Sequence, residues 1–442
     1  MIFHSLTFVA FFLVVVTLYW RLPHRAQNVL LLVSSYVFYG WVHPWFLTLI
    51  FASTVVDFWA GRGMATVPAK KKVYLSLSLV VNLGMLAFFK YYNFFAENVH
   101  TALAALHFDI PLPALHVVLP VGISFYTFQE LSYTLAVYKG KIEARRNFLD
   151  FATFVCFFPQ LVAGPIERAA HLLPQVEQPR SFSWPLARDA MFLILWGYFK
   201  KLVVADNAGV IANKVFALET PGFFVLWAGV FAFGIQIYAD FSAYSDIARG
   251  TARWLGFDLM RNFNHPYLAT GPADFWRRWH ISLSSWFRDY VYIPLGGSRA
   301  GRLIEYRNIF ATFLLSGFWH GANWNYVLWG AYHGALLVIS RMVSPTRTHD
   351  APPLSPALRT LRAALTPVRI IAMLVLTNIG WLLFRETNST YLWRELATLP
   401  NFANETDINQ GAYLFLYAFI YSLPLWINSI WEVHIGPRLS LR

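Results

Sequence analysis

Long apolar runs alternate with short polar segments along the whole chain. The first covers 6–20, and others follow near 28–41, 45–60, 73–89, 115–137, 149–163, 189–205, 223–239, 308–319, 324–340, 368–384 and 412–431. A membrane-crossing helix needs about 20 mostly apolar residues, and at the least about 17. The pattern therefore predicts an all-α polytopic membrane protein with about 11–12 membrane helices. The 149–163 run and the pair around residue 320 are short enough to be re-entrant rather than spanning. No basic segment precedes the first run and no small-residue cleavage site follows it, so it reads as an uncleaved span.

Basic residues mark the orientation. Arg21 and Arg25 follow the first run, and Arg62, Lys70, Lys71 and Lys72 follow the third. Lys139, Lys141, Arg145 and Arg146 follow the 115–137 run, and the densest basic stretch, 249–307, follows the 223–239 run. Clusters recur after every second crossing, which places the amino terminus outside and 249–307 in the cytosol. The 90–115 and 386–411 loops then fall outside. Segment 344–366, with Pro345, Pro352, Pro353 and Pro356, reads as a cytosolic loop. Residues 1–442 read as a single membrane domain with no internal repeat, in which 242–307 forms a cytosolic-side amphipathic region.

Composition sharpens this picture. The chain is 57% hydrophobic and only 13% charged, where a soluble domain carries about 25% charge, so water is excluded as its main solvent. Aromatics reach 18%, as suits belts at two membrane interfaces. A net charge of +12 would suggest nucleic acid in a soluble domain. Here the basic residues lie between apolar runs and set orientation, so lipid is the expected partner and nucleic acid is not. Cys156 is the one cysteine, which rules out an internal disulfide and any CxxC site. There is no GxxxxGKS/T loop, no HExxH helix and no GxSxG elbow, and no metal-ligand cluster.

What remains is a set of polar residues where lipid would not tolerate them unpaired. The strongest lies in 310–334, LLSGFWHGANWNYVLWGAYHG at its core, with His320 between Gly317 and Gly321 and beside Trp319 and Trp324. On a continuous helix Ser316 and Asn323 share the His320 face. Two readings stand: a buried structural histidine, or an intramembrane functional one. His333 reads as structural or supporting. The second signal is FWRRWHISLSSWFRDYVYIPLGG in 275–297. As one helix, Phe275, Trp279, Leu283, Trp286, Phe287 and Tyr290 form an apolar stripe, with His280 at its edge. Such a helix lies in the interface, either as a mere anchor or with Arg277, Arg278 and Arg288 attracting an anionic, phosphate-bearing donor. The third is IQIYADFSAYSD in 235–246, where Asp240 and Asp246 cap a helix end or pair with Arg249 and Arg253. Glu130 and Lys90 are further buried charges, for which structural pairing is expected.

These strings resemble one family. NFNHPYLATGPADFWRRWHISLSSWFRDYVYIPLGGSR followed by LSGFWHGANWNYVLWG is similar to the membrane-bound O-acyltransferases (MBOAT), closest to the bacterial branch of alginate and peptidoglycan O-acetylation proteins. SSYVFYGW, LPVGISFYTFQELSY, FFPQLVAGPIER, YADFSAYSDIARG and GWLLFRE match in family order, so the resemblance covers most of the chain. His265, in NFNHPYL, departs from the Tyr or Phe expected there. The resemblance implies a central tunnel in a bacterial cytoplasmic (inner) membrane. It makes His320 the catalytic histidine and His280 the second signature histidine, and it places Asp240 and Asp246 in a polar motif before the cytosolic helix. It implies transfer of an acyl group, acetyl above all, from acetyl-CoA or another cytosolic thioester. The acceptor is a polysaccharide, or an extracytoplasmic O-acetyltransferase partner, and an acyl carrier protein is a further candidate partner. No permanently bound cofactor is implied. Trp319 and Asn323 are then candidates to orient His320 or hold an oxyanion. D-alanyl transfer from a carrier protein to teichoic acid, and transport of a polysaccharide or small molecule, stand as alternatives.

Overall fold

The computed structural model describes residues 1–108, 110, 113–115, 118–299, 301–343 and 355–435. Every regular element among them is a helix. Four helices are long and apolar enough to cross a bilayer: Pro68–Ala105, Phe223–Trp254, Thr366–Arg385 and Glu405–Val433, with Leu6–Tyr19 a shorter apolar one. Their outer faces carry bare Val80, Val368, Ile371 and Ile420, a pattern that water penalises and lipid does not. The protein is a multi-pass, all-α membrane protein. Of the expected 344–366 loop, 344–354 lie outside the described residues, and Pro356–Ala364 is helical.

The chain forms two compact units, Met1–Tyr198 with Ala243–Arg261, and Phe199–Ser242 with Asn262–Arg442. In the first, the helices Phe46–Thr66, Lys71–Leu86 and Ile123–Tyr138 pack together. Glu130 is wholly buried among them and accepts hydrogen bonds from Ser53 Oγ at 3.1 Å and Thr54 Oγ1 at 3.2 Å. Its structural partners are thus hydroxyls. Lys90 Nζ donates to Ser124 Oγ at 3.3 Å. The 149–163 run is not one helix: Phe157 separates Phe148–Cys156 from Phe158–Leu161.

In the second unit two sequence expectations change. The 223–239 run does not end near residue 239, because the helix continues for 32 residues to Trp254. Asp240 and Asp246 therefore cap nothing. Asp240 pairs with Lys201 at 2.9 Å, and in the first unit Asp246 pairs with Arg249 at 3.4 Å. The 275–290 stretch is not one interfacial helix either. It folds as Pro272–Arg278 and Ile281–Phe287, with His280 between them in the left-handed region at φ 42°. The Asn262–Asn264 stretch enforces the break by pairing with both sides of it. Asn264 N–H donates to the Arg278 carbonyl at 2.9 Å, and Ile281 N–H to the Asn262 carbonyl at 2.8 Å. Asn262 Oδ1 also accepts from Ser282 Oγ at 2.7 Å. The aromatic stripe faces protein, not head groups: Phe275, Trp279, Leu283, Trp286 and Phe287 are all buried.

Candidate functional site

The helices Arg302–His320 and Trp324–Val343 lie side by side as a hairpin. Gly317 and Gly330 let their backbones touch, since a side chain at Gly317 would meet the Tyr326 carbonyl and one at Gly330 the Phe313 carbonyl. His320 is the last residue of the first helix, where Gly321 turns extended. The break overturns the expectation that Asn323 shares the His320 face. Ser316 does lie one turn before His320, but Asn323 sits in the turn, where its Oδ1 accepts the Asn325 N–H at 3.3 Å.

An aromatic cage surrounds the imidazole. The His320 ring lies 4.9 Å from Trp319, 5.0 Å from Trp329 and 5.3 Å from Phe384, each edge to face. Trp319 stands between the two histidines, with its ring 6.3 Å from that of His280. His280 is 2% exposed, packs edge-on against Phe241 at 4.6 Å, and its Nε2 has no hydrogen-bond partner among the described residues. It lies in the break, outside the spanning helices. Burial, and secondarily the nearby His320, holds its imidazole well below the usual histidine range, so it is neutral at physiological pH. Asp240 itself pairs with Lys201, and its chain neighbour Phe241 carries the ring that packs on His280.

A cavity of about 500 Å³ opens beside the hairpin. Arg277, Arg288 and Arg341 line it together with Trp276, Ser284, Ser285 and Ser316. Each arginine has a carboxylate tether: Arg277 with Asp274 at 3.5 Å, Arg288 with Asp289 at 2.9 Å and Arg341 with Glu305 at 3.2 Å. Arg277 and Arg288 keep 73% and 62% of their side chains exposed, so these ties are weak ones.

Arg278, grouped with them on sequence, is absent from the cavity wall. It bonds Asp274 at 2.9 Å and the Asn264 carbonyl at 3.3 Å, closing the turn that breaks the helix. Burial alone would raise the Asp274 carboxyl. The Arg278 hydrogen bond and the Thr270 N–H overcome it and hold the group below its usual range.

Several site residues had no clear sequence signal. Arg341 sits at the end of an apolar helix, and Trp276, Trp329 and Phe384 read as ordinary core. His265, the departure noted in sequence, is buried with φ 49°. Its Nδ1 bonds Ser429 Oγ and its Nε2 bonds Glu432 Oε2, each at 3.0 Å, which ties the loop before His280 to the last long helix.

Comparison with known proteins bears on this geometry. The sequence model of the membrane-bound O-acyltransferase family matches residues 46–379. A probable alginate O-acetylase, AlgI, of Azotobacter vinelandii is 40% identical over 419 residues, spanning 93% of this chain and 81% of the relative. A peptidoglycan O-acetyltransferase of Helicobacter pylori is 35% identical, spanning 84% of this chain and 74% of the relative. A teichoic acid D-alanyltransferase of Streptococcus thermophilus is 30% identical but spans only 50% of this chain and 56% of the relative. With the family match and such relatives along most of its length, this chain belongs to the membrane-bound O-acyltransferase family and is an acyltransferase.

Proposed function

We propose that the protein transfers an acetyl group from a thioester on the cytosolic side to a hydroxyl on the far side of the bacterial inner membrane. One observation carries the reading: an arginine-lined cavity of about 500 Å³ reaches Ser316, one turn before His320. Arginine offers bidentate contacts to phosphate, and acetyl-CoA and a carrier's phosphopantetheine arm both bear phosphates. The weakly tethered Arg277 and Arg288, with Arg341, would hold those phosphates while the thioester lies toward His320.

The chemistry asks little more of the chain. His320, ringed by aromatic side chains, takes the proton of the attacking hydroxyl as its oxygen adds to the acyl carbon, and returns it to the departing sulfur. The names of the relatives favour a polysaccharide, alginate or peptidoglycan, as final acceptor, reached directly or through an extracytoplasmic O-acetyltransferase partner. The carrier-protein and D-alanyl alternative is the weaker one, because those relatives cover only half of the chain.

The test is label transfer from radioactive acetyl-CoA in membranes of producing cells. Label in extracytoplasmic polymer or protein is expected with the wild type and not with His320→Ala. Equal labelling by both would refute the assignment.

A further inference from the structure

Three buried nitrogen atoms near His320 have no hydrogen-bond partner among the described residues: Trp276 Nε1, Trp329 Nε1 and His333 Nδ1. Their rings form one cluster. Trp276 and Trp329 are 5.6 Å apart, Trp276 and His333 5.1 Å, and Trp329 and His333 5.0 Å, all edge to face. The cluster has two neighbours of consequence. Trp329 touches the His320 ring at 5.0 Å, and Trp276 forms part of the cavity wall. The array therefore stands between the donor cavity and the base.

An indole Nε1 can only donate, and a buried donor left unmade is costly. Other apolar side chains could form such a wall without that cost. Two indoles and an imidazole with unmet nitrogens in one cluster thus mark a place built for a polar acceptor. Among the neutral acceptors that acyl transfer brings to this wall, the acyl carbonyl oxygen is the one that gains negative charge in the reaction.

We propose that the Trp276 and Trp329 N–H groups bind the acyl carbonyl oxygen and hold it as it becomes an oxyanion. This rests on the acyl-transfer reading above and names the residues that stabilise its intermediate. The acceptor hydroxyl oxygen bonds to the acyl carbon and its proton passes to His320. The carbonyl π pair moves onto the oxygen held by the two indoles. Collapse re-forms the double bond, breaks the C–S bond and sends the proton from His320 to sulfur. Fixed donors in a site shielded from water need no reorganisation at that moment, which is where such groups have their largest effect.

The test compares Trp276→Phe and Trp329→Phe with the wild type, using radioactive acetyl-CoA and membranes that carry the native acceptor. Each variant keeps one aromatic ring and loses the N–H together with part of the indole. The rate per folded protein is expected to fall about 10- to 1,000-fold, with the donor KM unchanged. The smaller ring leaves a cavity and lowers the thermal midpoint in either case, so the rate per folded protein is the deciding readout. A structural role would show a lower midpoint with an unaltered rate per folded protein, and that result would overturn the proposal. An inert wild type would instead sink the acyl-transfer reading, and this inference with it.

Discussion

Gly317 rests against Gly330 across the hairpin, so closely that a side-chain carbon on Gly317 would lie 3.1 Å from the Gly330 α-carbon. Two helices that touch along their backbones cannot slide past one another. His320, three residues after Gly317, is therefore fixed against Trp329, one residue before Gly330. In lipid, where apolar side chains give helices little reason to associate, small residues of this kind supply the contact.

Filling that contact should be felt in folding. Gly330→Ala would drive a methyl group into the Phe313 carbonyl, and the expected result is a sharp loss of correctly inserted protein. Gly84→Ala is the matched control, because nothing lies within 4 Å of the added carbon, and alanine in a helix interior gains about 0.5–1 kcal/mol over glycine. Yields of monodisperse protein in detergent compare the two. Equal yields would mean that the hairpin has slack.

Removing His320 should leave the fold standing. His320→Ala is expected to lower acyl transfer by about 10²–10⁴-fold, the usual cost of losing a general base, at normal expression. His280 is more deeply buried and carries an unusual backbone. For it His280→Asn is the informative change, because asparagine tolerates the left-handed region. A His320→Ala protein that expresses normally and transfers at the wild-type rate would make His320 structural.

The arginines should divide by role. Arg277→Ala with Arg288→Ala is expected to raise the donor KM, and the salt-dependent rise of KM in the wild type should flatten, because exposed charges are screened. Lysine at both positions should restore part of the affinity. Arg278→Ala should act on stability, since it loses its bonds to Asp274 and to the Asn264 carbonyl. A donor titration normalised to folded protein separates these outcomes. The division fails if Arg278→Ala alone weakens the donor while leaving the melting midpoint intact.

One carboxyl should make stability depend on pH. Glu395, in the short amphipathic helix Ser389–Ala397 outside the spanning segments, is 4% exposed. Burial first, and nearby Glu386 second, push its pKa up to about 7 from 4.5, against a smaller opposing pull from Arg394. The folded state then holds a proton that the unfolded chain has released, so stability falls as pH rises from about 4.5 through about 7 and levels off above. Glu395→Gln should flatten that slope. Melting midpoints from pH 5 to pH 8 measure it, and an identical slope in the variant would remove Glu395 as its origin.

Orientation is open to direct labelling. With the amino terminus outside, a cysteine placed at Ser298 faces the cytosol and should resist a membrane-impermeant maleimide in intact cells. Native Cys156 is buried and gives a low background. Labelling from outside would invert the topology.

How much of this could be read from sequence follows from the physics of each signal. Helical class and membrane habit were plain, because they depend on run length and charge count alone. The fate of 275–290 was not. Its apolar spacing fits an unbroken helix, it holds no glycine or proline between 275 and 290, and the break at His280 comes from pairing with residues 262–264. For Asp240 and Asp246 the sequence offered a helix-end cap or pairing with Arg249 and Arg253; Asp246 does pair with Arg249, whereas Asp240 finds Lys201, distant in sequence, within a continuing helix. Arg277 and Arg288 line the cavity, whereas Arg278 beside them does not, a difference of direction that spacing alone cannot give. Arg341 and Trp276 became visible only when a distant helix completed the cavity wall.

The 32-residue helix Phe223–Trp254 also acts as a ruler. At about 1.5 Å per residue it is about 48 Å long, against a hydrocarbon layer about 30 Å thick. Even tilted by about 20°, it overshoots the layer by about three turns. Its charged residues, Asp240, Asp246, Arg249 and Arg253, all fall in its second half, so the overhang is concentrated at that end. A bilayer thinner or thicker by a few ångströms would shift the waterline along this helix. Activity measured across lipids of graded chain length should then follow membrane thickness.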